Sequence, residues 1–294
     1  MTTPPASATD AEPQHLRLRL DIAYDGTDFH GWARQTSGVR TVQETIEDAL
    51  ALVLRTPVAL TVAGRTDAGV HASGQVAHVD VPEASLDQRS IDGDPTKLVR
   101  RLAKLLPTDV RVLDVGEVPA TFDARFAALH RSYTYRVTTS TAGALPTRRA
   151  DTAVWGKPVD VQRMQQATDL LVGLHDFAAF CKPKPHATTI RDVHAFSWQD
   201  VSTPAEREVY EARITADAFC WNMVRALVAT CLKVGEGRRD DDWVAQLLTA
   251  TERSSQVPLA PACGLTLTGV EYPHADAFAA RASVTRDRRT LPEE

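Results

Sequence analysis

The chain is short of cysteine, lysine, aromatic residues and long apolar runs, and each shortage narrows what it can be. Its four cysteines, Cys181, Cys220, Cys231 and Cys263, are scattered and form no Cys-x-x-Cys pair. Neither a zinc site nor a disulfide framework is indicated, and they read as buried free thiols of a cytosolic protein. The longest uncharged stretch, Ser254 to Val270, contains Pro258, Pro261, Gly264 and Gly269, which break a membrane helix, so a soluble protein is expected. Met1 to Pro13 has no basic region and no apolar core, so it is not read as a secretory signal and is expected to be a disordered tail. The formal net charge of -5 excludes a protein that holds nucleic acid through overall charge and confines any such site to a local patch. Six of the 33 basic residues are lysine. The remaining arginines suit bidentate phosphate contacts and stacking on bases, although an arginine-rich codon usage gives the same bias.

What is present is enough for a sizeable core. At 294 residues with 43% hydrophobic content, two lobes of similar size are expected. Leu16, Leu18, Leu20, Ile22 and Tyr24 alternate with Arg17, Arg19, Asp21 and Ala23, the pattern of a half-buried strand. Thr41 with Glu44 three residues on is a capping-box signal, and Val42, Ile46, Ala49, Leu50 and Val53 continue at helical spacing. Strands near Val58 to Ala63 and Gln75 to Val81, a helix from about Pro95 to Leu106 and a strand from Val110 to Val118 complete the order βαββαβ, which is ferredoxin-like. The second half repeats it: strands at Ser132 to Thr138, Ile190 to Gln199, Glu208 to Thr215 and Leu265 to Glu271, with helices at about Val161 to Gly173 and Ala218 to Val234. Gly173 to Ile190 and Arg238 to Ser255 read as additions. The expected divisions are a tail at 1–15, an N-terminal lobe at 16–118, a C-terminal lobe at 119–275 and a tail at 276–294.

Between the second and third strands lies Ala63-Gly64-Arg65-Thr66-Asp67-Ala68-Gly69-Val70-His71-Ala72, followed by Gly74-Gln75-Val76. Gly64 and Gly69 can take backbone angles closed to other residues, Thr66 can bond locally and Ala68 leaves room for a ligand. Asp67 is expected exposed at the loop tip. Taken alone, Asp-Ala-Gly is ordinary turn chemistry. His71 and His78 have no cysteine at metal spacing and read as structural hydrogen-bonding groups.

The ten-residue run is far more specific, and it resembles the signature of tRNA pseudouridine synthases of the A type, the TruA family. Further matches follow in order: Tyr24-Asp25-Gly26-Thr27-Asp28-Phe29-His30-Gly31-Trp32 with Gln35, Thr41-Val42-Gln43-Glu44, Phe122-Asp123-Ala124-Arg125-Phe126, Tyr133-Thr134-Tyr135, Gly173-Leu174-His175-Asp176-Phe177, Phe219-Cys220-Trp221-Asn222-Met223-Val224-Arg225, and Gly264-Leu265-Thr266-Leu267 with Val270 and Tyr272. They span roughly Leu18 to Pro273. Ala33, Ser132 and Ala103-Lys104-Leu105 depart from the family pattern.

The resemblance implies an α+β fold of two ferredoxin-like lobes, a pseudouridine synthase fold whose central mixed, mainly antiparallel sheet borders an RNA-binding cleft. It implies conversion of uridine to pseudouridine at positions 38, 39 and 40 of tRNA, by a cytoplasmic homodimer. That reaction exchanges an N1–C1′ bond for a C5–C1′ bond without redox change or phosphate transfer, so no cofactor and no metal are expected. Asp67 is implied as the nucleophile, Arg225 as the cation that keeps it charged, and Tyr133 as the ring against the target base. Arg65 is expected to fill the space of the flipped base, and Leu265 to line the substrate site. Lys97, Arg100, Arg101 and Lys104 form a basic helix stripe, usually a solvated face. Arg101 and Lys104 are taken as RNA contacts, with Arg34, Arg40, Arg148 and Arg149 as further candidates. Two rival classes are a non-catalytic RNA-binding module, which has no use for the Asp67 turn, and an aspartate-dependent hydrolase, which wants a second carboxylate loop.

Overall fold

In the computed structural model, which describes residues 14–36, 38–184 and 187–286, the opening alternation becomes β1, His15–Tyr24, with Leu18, Leu20, Ile22 and Tyr24 buried on one face. The tail expected at Met1–Pro13 lies outside the described residues. Helix α1, Val42–Leu54, starts where Thr41 Oγ1 accepts the Glu44 N–H at 3.4 Å, and its Val42, Ile46, Leu50 and Val53 join the β1 side chains in one core. The strand expected over Val58 to Ala63 shrinks to β2, Thr61–Val62. The reason is that α1 takes the backbone of Leu60: Glu47 Oε1 accepts its N–H at 2.8 Å, and Gln43 Nε2 donates to its carbonyl at 3.5 Å. Strand β3, His71–Pro82, begins earlier than the sequence pattern suggests. Helix α2, Lys97–Leu105, and β4, Val110–Val118, complete the first lobe.

The second lobe holds β5, His130–Thr138; β6, Ala153–Val154; α3, Val161–Leu171; β7, Gly173–Asp176; β8, Ile190–Asp200; and β9, Val209–Ala216. It continues through α4, Met223–Gly235; α5, Asp241–Leu248; and β10, Leu265–Glu271. All strands belong to one sheet in the order β4-β1-β3-β10-β5-β9-β8-β7, with β2 on β3 and β6 on β5. Setting aside β6 and β7, each lobe runs fourth, first, third, second, the ferredoxin-like order read from the repeat. Helix α4 is buried almost all round, as its near-continuous apolar sequence requires.

Residues 276–286, expected as a tail, instead carry α6, Phe278–Arg286. Phe278 packs edge-on to Phe122 at 5.1 Å, in a second core with Ala63, Val76, Ala124 and Ala127. Tyr272 locks the same segment by donating to the Ala124 carbonyl at 2.6 Å. Cys181 and Cys220, 39 residues apart, lie side by side with Cα atoms 5.7 Å apart, while Cys231 is buried and Cys263 half-buried. The spacing carried no sign of this pair because only the fold brings its two segments together. Among the described residues no helix is long and apolar enough to cross a membrane.

The lobes meet where β10 runs parallel to β3, Thr266 beside His71 and Leu267 beside Ala72. Just beyond, a side chain at Gly74 would place its Cβ 2.3 Å from the Thr268 carbonyl oxygen. Backbone on both sides leaves nothing flexible to yield. Gly74→Ala is therefore expected to cost about 2 to 4 kcal/mol of stability and to lower Tm by roughly 5 to 15 °C in thermal unfolding; an unchanged Tm would show that the seam opens freely.

Candidate active site

The loop between β2 and β3 is held at almost every residue. Thr66 Oγ1 shares a hydrogen bond with the Tyr24 hydroxyl at 2.7 Å, and its carbonyl accepts the Trp32 N–H at 3.0 Å. Gln75, fully buried, donates to the Gly64 carbonyl at 2.8 Å and to Tyr24 at 3.3 Å. His71 Nδ1 accepts the Gly26 N–H at 3.0 Å. The ring is then the Nε2–H tautomer and donates to the Cys263 carbonyl at 3.1 Å, tying the loop to the other lobe. His78 is likewise structural, accepting the Ala124 N–H at 3.0 Å. Gly69 has φ +76°, a conformation that favours glycine, whereas Gly64 has neither a positive φ nor a close neighbour and is not required by geometry.

Asp67 is half-buried, not exposed at a tip. Burial raises its pKa above the ordinary carboxylate value, and Arg225, a hydrogen bond from Trp221, and Lys182 oppose that rise without cancelling it. Arg225 makes no direct ion pair with it; its Nε–H goes to the Ala260 carbonyl at 2.7 Å, which fixes the guanidinium from behind. The helix expected from Ala218 begins only at Met223, because Asn222 is left-handed at φ 70°. The loop thereby freed carries Trp221. Lys182 Nζ lies 4.0 Å from the Trp221 ring centroid, and the Lys182 N–H donates to the Trp221 carbonyl at 2.9 Å.

Tyr133 is buried beside this group, edge-on to Phe219 at 5.2 Å. Burial pushes its pKa up to about 12, so the phenol stays protonated at neutral pH and can donate but not act as a base. Tyr135 bonds the Pro261 carbonyl at 3.0 Å, a packing role. Leu265 is buried opposite Tyr135 on β10 and forms apolar floor rather than an exposed contact. Arg65 is exposed and has no hydrogen bond or ion pair among the described residues. Arg101 and Lys104 are exposed on α2, which packs against β4 and α1, so the fold does not bring them into this cluster. Arg34 is neutralised by Glu44, Glu47 and Asp48, Arg40 by Asp109 and Arg148 by Asp151, which weakens their claim to RNA.

Comparison with known proteins bears on this arrangement. A family model described as tRNA pseudouridine synthase matches residues 22–127 and 167–273, which include Asp67, Trp221 and Arg225. The chain belongs to this family. Proteins named tRNA pseudouridine synthase A are similar along nearly their whole length: one from Corynebacterium glutamicum is 63% identical, covering 95% of this chain and 96% of its own. One from Mycobacterium leprae is 48% identical, covering 99% of each, and one from Streptomyces griseus is 51% identical, covering 96% and 97%.

Three residues of this tRNA pseudouridine synthase family member escaped sequence reasoning. Trp221 lay inside a quoted run but received no role, and Lys182 offers no pattern at all. Arg131 did leave a signal, a charge at an inward position of the alternating Arg131, Tyr133, Tyr135, Val137. It is buried without a carboxylate within ion-pair distance among the described residues, its guanidinium donating to the carbonyls of Asp217 at 2.8 Å, Ala63 at 3.0 Å and Arg125 at 2.6 Å. One cation thus joins the segment before the Asp67 loop, the inter-lobe link between β4 and β5, and the loop that carries Trp221. Arg131→Met leaves three carbonyls without a donor, so a loss of about 3 kcal/mol or more is expected. Urea unfolding measures it, and a wild-type midpoint would show the fan to be dispensable.

Proposed function

We propose that the chain converts uridine to pseudouridine at positions 38, 39 and 40 of the tRNA anticodon arm, with the Asp67 carboxylate as nucleophile. The observation that carries the reading is the meeting of a rigidly held Asp67 from one lobe with Arg225, Trp221, Lys182 and Tyr133 from the other. The reaction breaks N1–C1′, turns the base and forms C5–C1′; C5 gives up its proton and the freed N1 takes one up, so atoms and charge balance. An ionised Asp67 serves each of three routes: addition to C1′, addition to C6, or removal of the C2′ proton. Arg225 supports the charge from a distance, and the absence of a direct ion pair with it leaves the carboxylate available to react beside its hydrogen bond from Trp221. The neutral Tyr133 phenol offers a ring face and a proton donor beside the base. Arg65, unpaired and on the same loop, is the group to enter the helix as the base leaves. The family resemblance adds a cytoplasmic homodimer whose two subunits share one tRNA.

Asp67→Asn removes charge with little volume, so turnover is expected to fall by at least about ten-thousand-fold while tRNA binding and Tm stay near wild type. Residual turnover above a few per cent would remove Asp67 from the reaction. The ionised form is the reactive one and burial raises the pKa, so kcat should fall with decreasing pH through a limb above the ordinary carboxylate value of about 3.9. Arg225→Ala removes a charge that lowers this pKa and should move the limb to still higher pH.

Purified protein is also expected to modify an unmodified tRNA transcript after extensive EDTA treatment with no added cofactor. Carbodiimide mapping should place the product at positions 38 to 40. Product confined to the T-loop would overturn the assigned site, binding without product would favour the RNA-binding rival, and free uracil would favour a hydrolase.

A further inference from the structure

We propose that Lys182 and Trp221 form a nucleotide subsite beside Asp67, the indole stacking on a base that flanks the target uridine and the ammonium pairing with its phosphate. The inference rests on the reading of Asp67 as the reacting group. Trp221 is 48% exposed, while the chain's other four tryptophans are buried or half-buried. A large aromatic surface left in water beside a reactive carboxylate suits a partner with a flat face. The pair is built rather than incidental. The Lys182 N–H meets the Trp221 carbonyl at 2.9 Å, and the preceding residues, Cys181 and Cys220, pack together with Cα atoms 5.7 Å apart. Both side chains are therefore delivered to one place from β7–β8 on one side and the start of α4 on the other.

Charge points the same way. Lys182 is exposed and has no carboxylate within ion-pair distance among the described residues, in contrast to Arg34, Arg40 and Arg148. In the free protein its ammonium rests on the indole face. Stacking of a nucleobase on tryptophan is stronger than an exposed cation–π contact, so a base can displace the ammonium. The released cation then has the nucleotide's own phosphate within reach of its flexible stem. Arg65 lies on the Asp67 loop with its charge equally unanswered, so a net-acidic protein presents unpaired cations where the polyanion must approach.

The test measures binding of an unmodified tRNA transcript to Asp67→Asn protein, in which no turnover disturbs the equilibrium. Adding Trp221→Ala should weaken binding about tenfold, whereas Trp221→Phe, which keeps a ring, should stay within about twofold. Tryptophan emission should be quenched by tRNA in the Asp67→Asn protein and lose that component in the Trp221→Phe background. Lys182→Met should weaken binding and reduce the salt dependence by about 0.7 to 0.9 log units per log salt, the share of one phosphate. Wild-type affinity in Trp221→Ala and an unaltered salt slope in Lys182→Met would overturn the subsite. If Asp67→Asn alone retains turnover, the reading of Asp67 fails. If it is inactive while the binding series is flat, only the subsite fails.

Discussion

Every feature of the candidate site depends on one join between the two halves of the sheet. The first lobe ends its strand order at β3 and the second begins at β10, and only two residue pairs define their parallel contact. So short a ladder does not fix an angle by itself. Arg131 supplies the missing constraint from below, since its three acceptors lie before the Asp67 loop, in the inter-lobe link and before the Trp221 loop. A buried cation without a counter-ion is costly, and it persists where several oriented carbonyl dipoles solvate it together. Removing any one of those carbonyls leaves the charge less well solvated, so the three segments hold one another in place.

Rigidity is distributed unevenly around that join. The Asp67 backbone is pinned by Tyr24, Trp32, Gln75 and His71, each bonding a different point of the loop or its flanks. Its side chain, by contrast, is only partly neutralised. A closer Arg225 would lower the pKa further but would occupy the carboxylate oxygens; the hydrogen bond to Ala260 holds the guanidinium short of an ion pair and leaves the carboxyl ionisable. Preorganised backbone with an unsatisfied functional group is what catalysis by electrostatics and positioning calls for.

Local chemistry was legible in the sequence and long-range partnership was not. The β1 alternation, the Thr41 cap and the doubled βαββαβ order follow from periods of 2 and 3.6 and from a short capping motif, all contained within a few residues. The Asp67 turn was legible for the same reason. The shortened β2 was not, because Glu47 and Gln43 reach Leu60 from 13 and 17 residues away. The late start of α4 depends on a left-handed Asn222, and the exposed tip expected for Asp67 disappears once the second lobe covers it. The basic residues read as RNA contacts illustrate the limit most clearly, since Arg40 is matched by Asp109 across 69 residues that no local pattern connects.

The same long-range pairing explains how a chain of net charge -5 can serve a polyanion. Carboxylates answer Arg17, Arg34, Arg40, Arg136 and Arg148, so the charge of these five contributes to structure and little to the outer field. Arg65 and Lys182, which flank Asp67, have no carboxylate within ion-pair distance among the described residues. Because screening confines exposed charges to about 8 Å at physiological salt, a distant acidic surface does little to oppose phosphate at these two cations. On the proposed reading, the place where RNA is held is set by where charge is left unpaired, and the protein needs no net positive charge to achieve it.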